Sequence, residues 1–297
     1  MELPDNFYKG VEVKGSLKHI LYSDTDSIFI SIPIKDANEL NIEDRWKLAE
    51  DNANKINELI VEYVSKTLLP RGNIDPKFNR TFFKTEMLID SALFLDVKKN
   101  YAYKLSCKEG VVIDPPKVKY TGIQVVKSDA AKLTQNLLKD MIENVMLNEK
   151  INRTDRIREL VKIVDKFKTQ FISDVTNFKF DNIGFPGKWA KREMFIDGMT
   201  IYNFIIGEEI FNLGSSGKFI HCRFNNPSLI RPSGVIQMKS PGICVPYEYD
   251  IPMIKQKMEQ FQITVEQKIH WDKLFTTACR RIIDLAKAEI KNLSSIL

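Results

Sequence analysis

The chain has only four cysteines in 297 residues: Cys107, Cys222, Cys244 and Cys279. None sits in a C-x-x-C pair, which argues against a zinc site and against a disulfide framework. Idle, buried thiols are the expectation. No uninterrupted apolar run is long enough to span a bilayer, which leaves no membrane partner to expect. The opening stretch MELPDNFYKG has no apolar segment like that of a secretory signal, so a cytoplasmic chain is expected. Internal repeats and low-complexity tracts are absent as well. Charge of one sign is not in large excess: the formal net charge is +5, which is compatible with nucleic acid without requiring it. What is present is a hydrophobic fraction of 43%, enough for a real core in one large domain or two ordinary ones.

Residues 16–33 read as a β-hairpin, SLKHILY and SIFISI flanking a polar turn. The stretch 41–69 reads as a helix, with Trp46, Ala49, Ala53, Ile56, Ile60 and Val64 on one apolar face. Asn41, with Asp44 three residues on, suits its start, and Pro70 and Gly72 its end. Strand character returns over 82–120 in TFFKTEMLI, ALFLDV, YAYKLSC and KVKYTGI, with a turn at Lys108–Gly110. A hairpin, a long helix and further strands make a sheet backed by a helix. After about residue 127 helical patterns dominate. They include 128–147, with Leu133, Leu137, Met141 and Val145 on one face, and 154–175, with Ile157, Leu160, Val164 and Phe171. IGFPGKW reads as an interruption, 197–213 as another helix, 214–250 as loops with short strands, and 270–293 as a closing helix. The fold class expected is α+β, with an antiparallel sheet and a backing helix first and a mostly α-helical part after it.

LYSDTDSIFISI, residues 21–32, places Asp24 and Asp26 at the tip of the expected hairpin. Two carboxylates converging in a tight turn repel each other unless a cation lies beside them. Mg²⁺ takes oxygen ligands, usually one or two carboxylates together with substrate phosphates. The plainer reading is a turn, because Asp, Ser and Thr side chains bond to nearby backbone in turns.

The hexapeptide YSDTDS between two apolar strands closely resembles the Y-G-D-T-D-S signature of family B DNA polymerases, with Ser23 where the family has glycine. Further along, KKNYAYKL (98–105) resembles the family's K-K-x-Y element, and KVKYTGIQVVKSD (117–129) its passage from palm to thumb. GFPGKWAKREMFIDGMTIYN (184–203) is similar to a thumb segment of T-even-like bacteriophage replicative polymerases. The resemblances occur in family order. They imply a palm portion over 1–125 and a thumb over 126–297. Asp24 and Asp26 are then the catalytic, metal-binding carboxylates for two Mg²⁺ ions, Glu86 a further acidic residue at the edge of the site, and Ser23 and Thr25 neighbours of the nucleotide. Primer–template DNA is implied to run along Lys98, Lys99, Tyr101, Lys117, Lys119 and Lys127, and along Lys188, Lys191 and Arg192. Arg280 and Arg281, on the last helix, read as ordinary solvated charges.

Two elements of the family have no match. These are the D-x-x-S-L-Y-P-S motif, which carries another metal-binding aspartate, and the fingers helix K-x-x-x-N-S-x-Y-G, which holds the incoming dNTP. No proofreading exonuclease segment is found either. The expectation is therefore a split DNA polymerase, in which a larger partner chain supplies exonuclease, fingers and the first aspartate, sharing the two metal ions with this chain. A phage-encoded chain would act in the host cytoplasm. A sliding clamp is a candidate partner for the C-terminal tail, although AEIKNLSSIL lacks an aromatic ending and a frayed helix end is the plainer reading. The rival class is a non-catalytic DNA-binding or scaffold subunit derived from a polymerase, against which the intact aspartate pair weighs. A fragment of one longer polymerase chain is the third reading.

Overall fold

The computed structural model describes residues 20–24, 27–32, 40–190, 192–225 and 241–294. It is an α+β chain with antiparallel sheets. Two compact units divide it: residues 1–91 with 104–119, and residues 92–103 with 120–297. No helix among the described residues is long and apolar enough to cross a membrane.

In the first unit, β1 (Ile20–Asp24) and β2 (Ser27–Ile30) form the expected hairpin, an antiparallel two-stranded sheet. The outer parts of the hairpin reading, residues 16–19 and 33, lie outside the described residues. α1 (Ile42–Tyr63) opens where the sequence indicates: the Asn41 side chain accepts the Asp44 N–H at 2.7 Å. Glu43 and Asp44 add negative charge to a first turn whose dipole favours it. The helix runs on through a π-helical turn, Val64–Leu68, into the single turn α2 (Leu69–Arg71), and Gly72 stops it.

α1 backs the strands of its unit. Arg45 pairs with Asp90 at 3.0 Å, and Asn57 clamps Phe83, donating to its carbonyl at 2.6 Å while accepting its N–H. Asp90 belongs to β3 (Met87–Phe94), followed by β4 (Tyr101–Lys108) and β5 (Val111–Thr121) in the order β3-β4-β5. TFFKTEMLI reads as a strand, but pairing begins only at Met87. Asn57, on α1, takes both backbone groups of Phe83, leaving neither for a ladder. The turn between β4 and β5 uses Glu109 (φ 50) and Gly110 (φ 81), both left-handed, as a tight hairpin requires.

The second unit carries most of the core. α3 (Lys132–Met141) passes into a π-helical turn, Ile142–Met146, and is followed by α4 (Arg153–Thr176) and α5 (Phe180–Ile183). Leu133, Leu137, Met141 and Val145 are all buried, as their spacing predicts. On α4, Leu160 and Phe171 are buried, while Ile157 and Val164 are only partly covered. Then come β6 (Phe185–Lys188), α6 (Glu193–Ile206), β7 (Ser216–Phe224), β8 (Gly242–Val245), α7 (Ile251–Gln260), β9 (Ile263–Val265), α8 (Gln267–Ala278) and α9 (Arg280–Ser294). β6, β7 and β8 are neighbours, and β9 pairs with β7.

Three readings change here. FPGK is not an interruption but strand β6, with Gly187 opposite Gly217. A Cβ on Gly187 would lie 2.5 Å from the Phe195 ring, so the glycine admits an aromatic side chain rather than making a turn. α6 ends at Ile206, short of the expected 213. Gly207 turns left-handed (φ 85), and Asn203 takes up both backbone groups of Phe211, at 2.7 and 2.8 Å. The closing helix is two helices, parted at Cys279.

His270 lies in the middle of this unit with no exposed surface. Its Nε2 is 2.7 Å from the Ile183 carbonyl, and its ring packs against Phe171, Phe185 and His221. Burial pushes it from the ordinary 6.5 down to about 3. The folded chain thus refuses a proton that the unfolded chain accepts below 6.5. Stability from this residue is complete above that pH and is lost as pH falls towards 3. At about 1.4 kcal/mol per unit, going from pH 6.5 to pH 5 costs about 2 kcal/mol. Urea unfolding at pH 7 and pH 5 checks this: His270→Gln is expected to remove about that much of the acid-induced loss, and an unchanged loss would refute it.

Candidate nucleotidyl-transfer site and basic track

The hairpin positions its residues through backbone pairing. Tyr22 faces Phe29, Ser23 faces Ile28, and Asp24 faces Ser27. The Tyr22 and Phe29 rings meet edge to face at 5.9 Å, a cross-strand aromatic pair that fixes the register. Asp24 is therefore the last residue of β1, and Thr25 and Asp26 separate it from its partner along the chain. Thr25 and Asp26 lie outside the described residues. Ser23 is exposed, as are Ile20, Leu21 and Ile28 at 39, 51 and 38%.

Glu86 is exposed and stands one residue before β3 rather than on it, and its carbonyl accepts the Glu109 N–H at 2.9 Å. The described residues contain no group of three His, Cys, Asp or Glu able to hold a metal ion. The donors that suit Mg²⁺ by chemistry are the carboxylate oxygens of Asp24 and Asp26, hard ligands two residues apart.

The basic candidates divide between the units. Lys117 and Lys119 belong to the first; both are exposed and lie on one face of β5 by their two-residue spacing. Lys98, Lys99 and Tyr101 belong to the second, at the turn from β3 into β4. Lys98 and Lys99 are exposed, and Lys99 is left-handed (φ 60). Tyr101 stacks on Tyr103 at 6.1 Å and packs against Phe94 at 5.7 Å, which fixes the ring. Lys127 is exposed where the chain enters α3, and its carbonyl accepts from the Gln135 side chain at 2.7 Å. Lys188 ends β6 opposite Ser216, and exposed Arg192 immediately precedes α6. Lys191 lies outside the described residues.

Sequence reasoning missed what holds the Lys98–Lys99 turn. Asn100 donates its side-chain N–H to the Lys98 carbonyl at 3.1 Å, and its own carbonyl accepts the Leu95 N–H at 2.9 Å. Arg281, read as merely solvated, faces Asp96 of this turn at 3.7 Å. Both side chains are exposed, so the pair contributes little to stability.

No protein-family model and no curated protein matches the chain. Among solved structures, it is similar to the family B DNA polymerase of the hyperthermophilic archaeon Pyrobaculum calidifontis. The TM-score is 0.41 and the identity 13%, over 77% of this chain. The similar region spans 23% of that polymerase chain.

Proposed function

We propose that this chain is the palm-and-thumb portion of a DNA-directed DNA polymerase, active together with a larger chain that supplies the fingers and a further palm aspartate. The observation that carries the reading is the YSDTDS hairpin. A signature hexapeptide falls at an antiparallel pair whose register sets Tyr22 opposite Phe29 and Asp24, the last residue of β1, opposite Ser27. The ordered run of further motifs, KKNY at a turn and TGI at the exit of β5, supports it.

Asp24 and Asp26 would hold two Mg²⁺ ions with the partner's aspartate. When bound, such ions neutralise charge on the attacking and leaving oxygens of the phosphoryl transfer. The chain's own work would be to supply two carboxylates, two residues apart in sequence, and to hold duplex DNA by its phosphates. A polymerase accepts every sequence, so exposed lysines aimed at phosphates suit the task better than base-reading groups.

The make-up of the first unit supports the need for a partner. Among its described residues, Leu105 and Cys107 are the only fully buried apolar side chains, and the apolar stripe of α1 is only partly covered. Phe78 and Phe82 are 60 and 72% exposed. A unit that leaves so much apolar surface in water gains from an added chain, by about 25 cal/mol for each Å² removed.

The test is reconstitution. Purified chain and the complementary polymerase chain are expected to extend a primer with dNTPs and Mg²⁺ only when mixed. Extension by this chain alone at a normal polymerase rate, or none from the mixture, would sink the reading.

A further inference from the structure

Gly122 touches no substrate in any reading of the sequence, yet it lies against the Lys98–Lys99 turn. It is left-handed (φ 67), and a Cβ there would run into the Lys99 carbonyl and come within 3.1 Å of the Asn100 side-chain oxygen. Lys99 is itself left-handed (φ 60), a conformation that a long side chain adopts at a cost of about 1 kcal/mol or more. Such a conformation persists only where the surroundings over-determine it. Here they do so from several sides. The Asn100 N–H donates to Val97 at 3.1 Å, Leu95 donates to Asn100 at 2.9 Å, and the Asn100 side chain holds the Lys98 carbonyl at 3.1 Å. The remaining side is closed by the bare backbone of Gly122. All of these residues belong to the second unit.

We infer that Gly122 is a positioning residue: its missing side chain lets the chain leaving β5 press on the Lys99 carbonyl, holding Lys98 and Lys99 in a turn, strained at Lys99, that presents both ammonium groups to DNA phosphates. The inference rests on the polymerase reading of the lysine pair and deepens it. The strain sits at Lys99, which is exposed and where a glycine would relieve it. A fixed presentation of two cations to a polyanion favours binding, since less side-chain and backbone freedom is then lost.

The test is a double-mutant cycle on the full chain, with binding to a primer–template duplex measured by fluorescence anisotropy across a salt series. Lys98→Gln with Lys99→Gln is expected to weaken binding about tenfold near 0.1 M salt and to flatten the salt slope by up to about 2. Gly122→Ala is expected to weaken binding severalfold in the parent and to have no further effect in the lysine double variant. Should Gly122→Ala fail to fold, as thermal unfolding would reveal, Asn100→Ala loosens the same turn without a clash and is expected to show the same non-additivity. If the lysine pair proves irrelevant to binding, the DNA reading of this turn falls and the inference with it. If the lysines matter but the Gly122 and Asn100 losses are equal in both backgrounds, the inference alone falls.

Discussion

Under the proposed polymerase function, primer extension by this chain mixed with its complementary chain is expected to fall by about a thousandfold or more when Asp24 and Asp26 are both replaced by alanine. A factor of that size is about 4 kcal/mol of transition-state stabilisation, ordinary for groups that hold catalytic metal ions. The two positions end and follow β1, next to the Asp24–Ser27 pairing that closes the ladder. Alanine there removes carboxylates without removing a backbone hydrogen bond, so the hairpin is expected to survive. Binding of primer–template duplex should therefore stay within a few fold of the parent, because the phosphate contacts assigned to lysines are elsewhere. Asp24→Asn and Asp26→Asn separate charge from shape, and the amides should lose nearly as much activity as alanine. Unchanged extension in the double alanine variant would instead favour the non-catalytic subunit.

The second large effect concerns stability. Gly242 begins β8 opposite His221 of β7, and a Cβ there would run into the Phe219 ring and lie 2.5 Å from the Ile220 carbonyl. Phe219 cannot swing away freely, because it is completely buried and packs edge-on against Phe195 and His221, at 5.7 and 5.1 Å. Forcing one carbon into such a packed layer shifts aromatic rings and backbone together. Gly242→Ala is expected to cost about 3 kcal/mol in urea unfolding. Gly72→Ala is the matching control. Its nearest neighbours would be 3.5 to 3.7 Å away, and a change within about 0.5 kcal/mol is expected. Equal losses at the two glycines would refute the packing argument.

What could be read from the sequence was what local rules decide. The β1–β2 hairpin, the Asn41 cap and the Leu133–Val145 stripe depend on neighbours within a few residues, and each lies where the pattern puts it. The four-stranded arrangement of β6 to β9 was read only as an interruption and short strands, because Gly187, Gly217 and Gly242 look like turn residues. Their role is set by Phe195, Phe211 and Phe219, which the fold brings close from elsewhere in the chain. The same holds at the candidate site. Asp24, Lys98 and Lys99 carry recognisable spacing, whereas Asn57 at Phe83 and Gly122 at Lys99 act across 26 and 23 residues, where no periodicity reaches.

The four thiols give the molecule a built-in record of its own opening. All are buried; burial pushes each of them above the ordinary thiol range, Cys279 to about 12. At neutral pH they are protonated and shielded, so an alkylating reagent meets them only when structure parts. Their distribution is informative. Cys107 reports on β4 in the first unit, Cys222 and Cys244 on β7 and β8, and Cys279 on the junction between α8 and α9. The order in which they become labelled at rising denaturant ranks the local stabilities of these regions, without any probe having to be introduced.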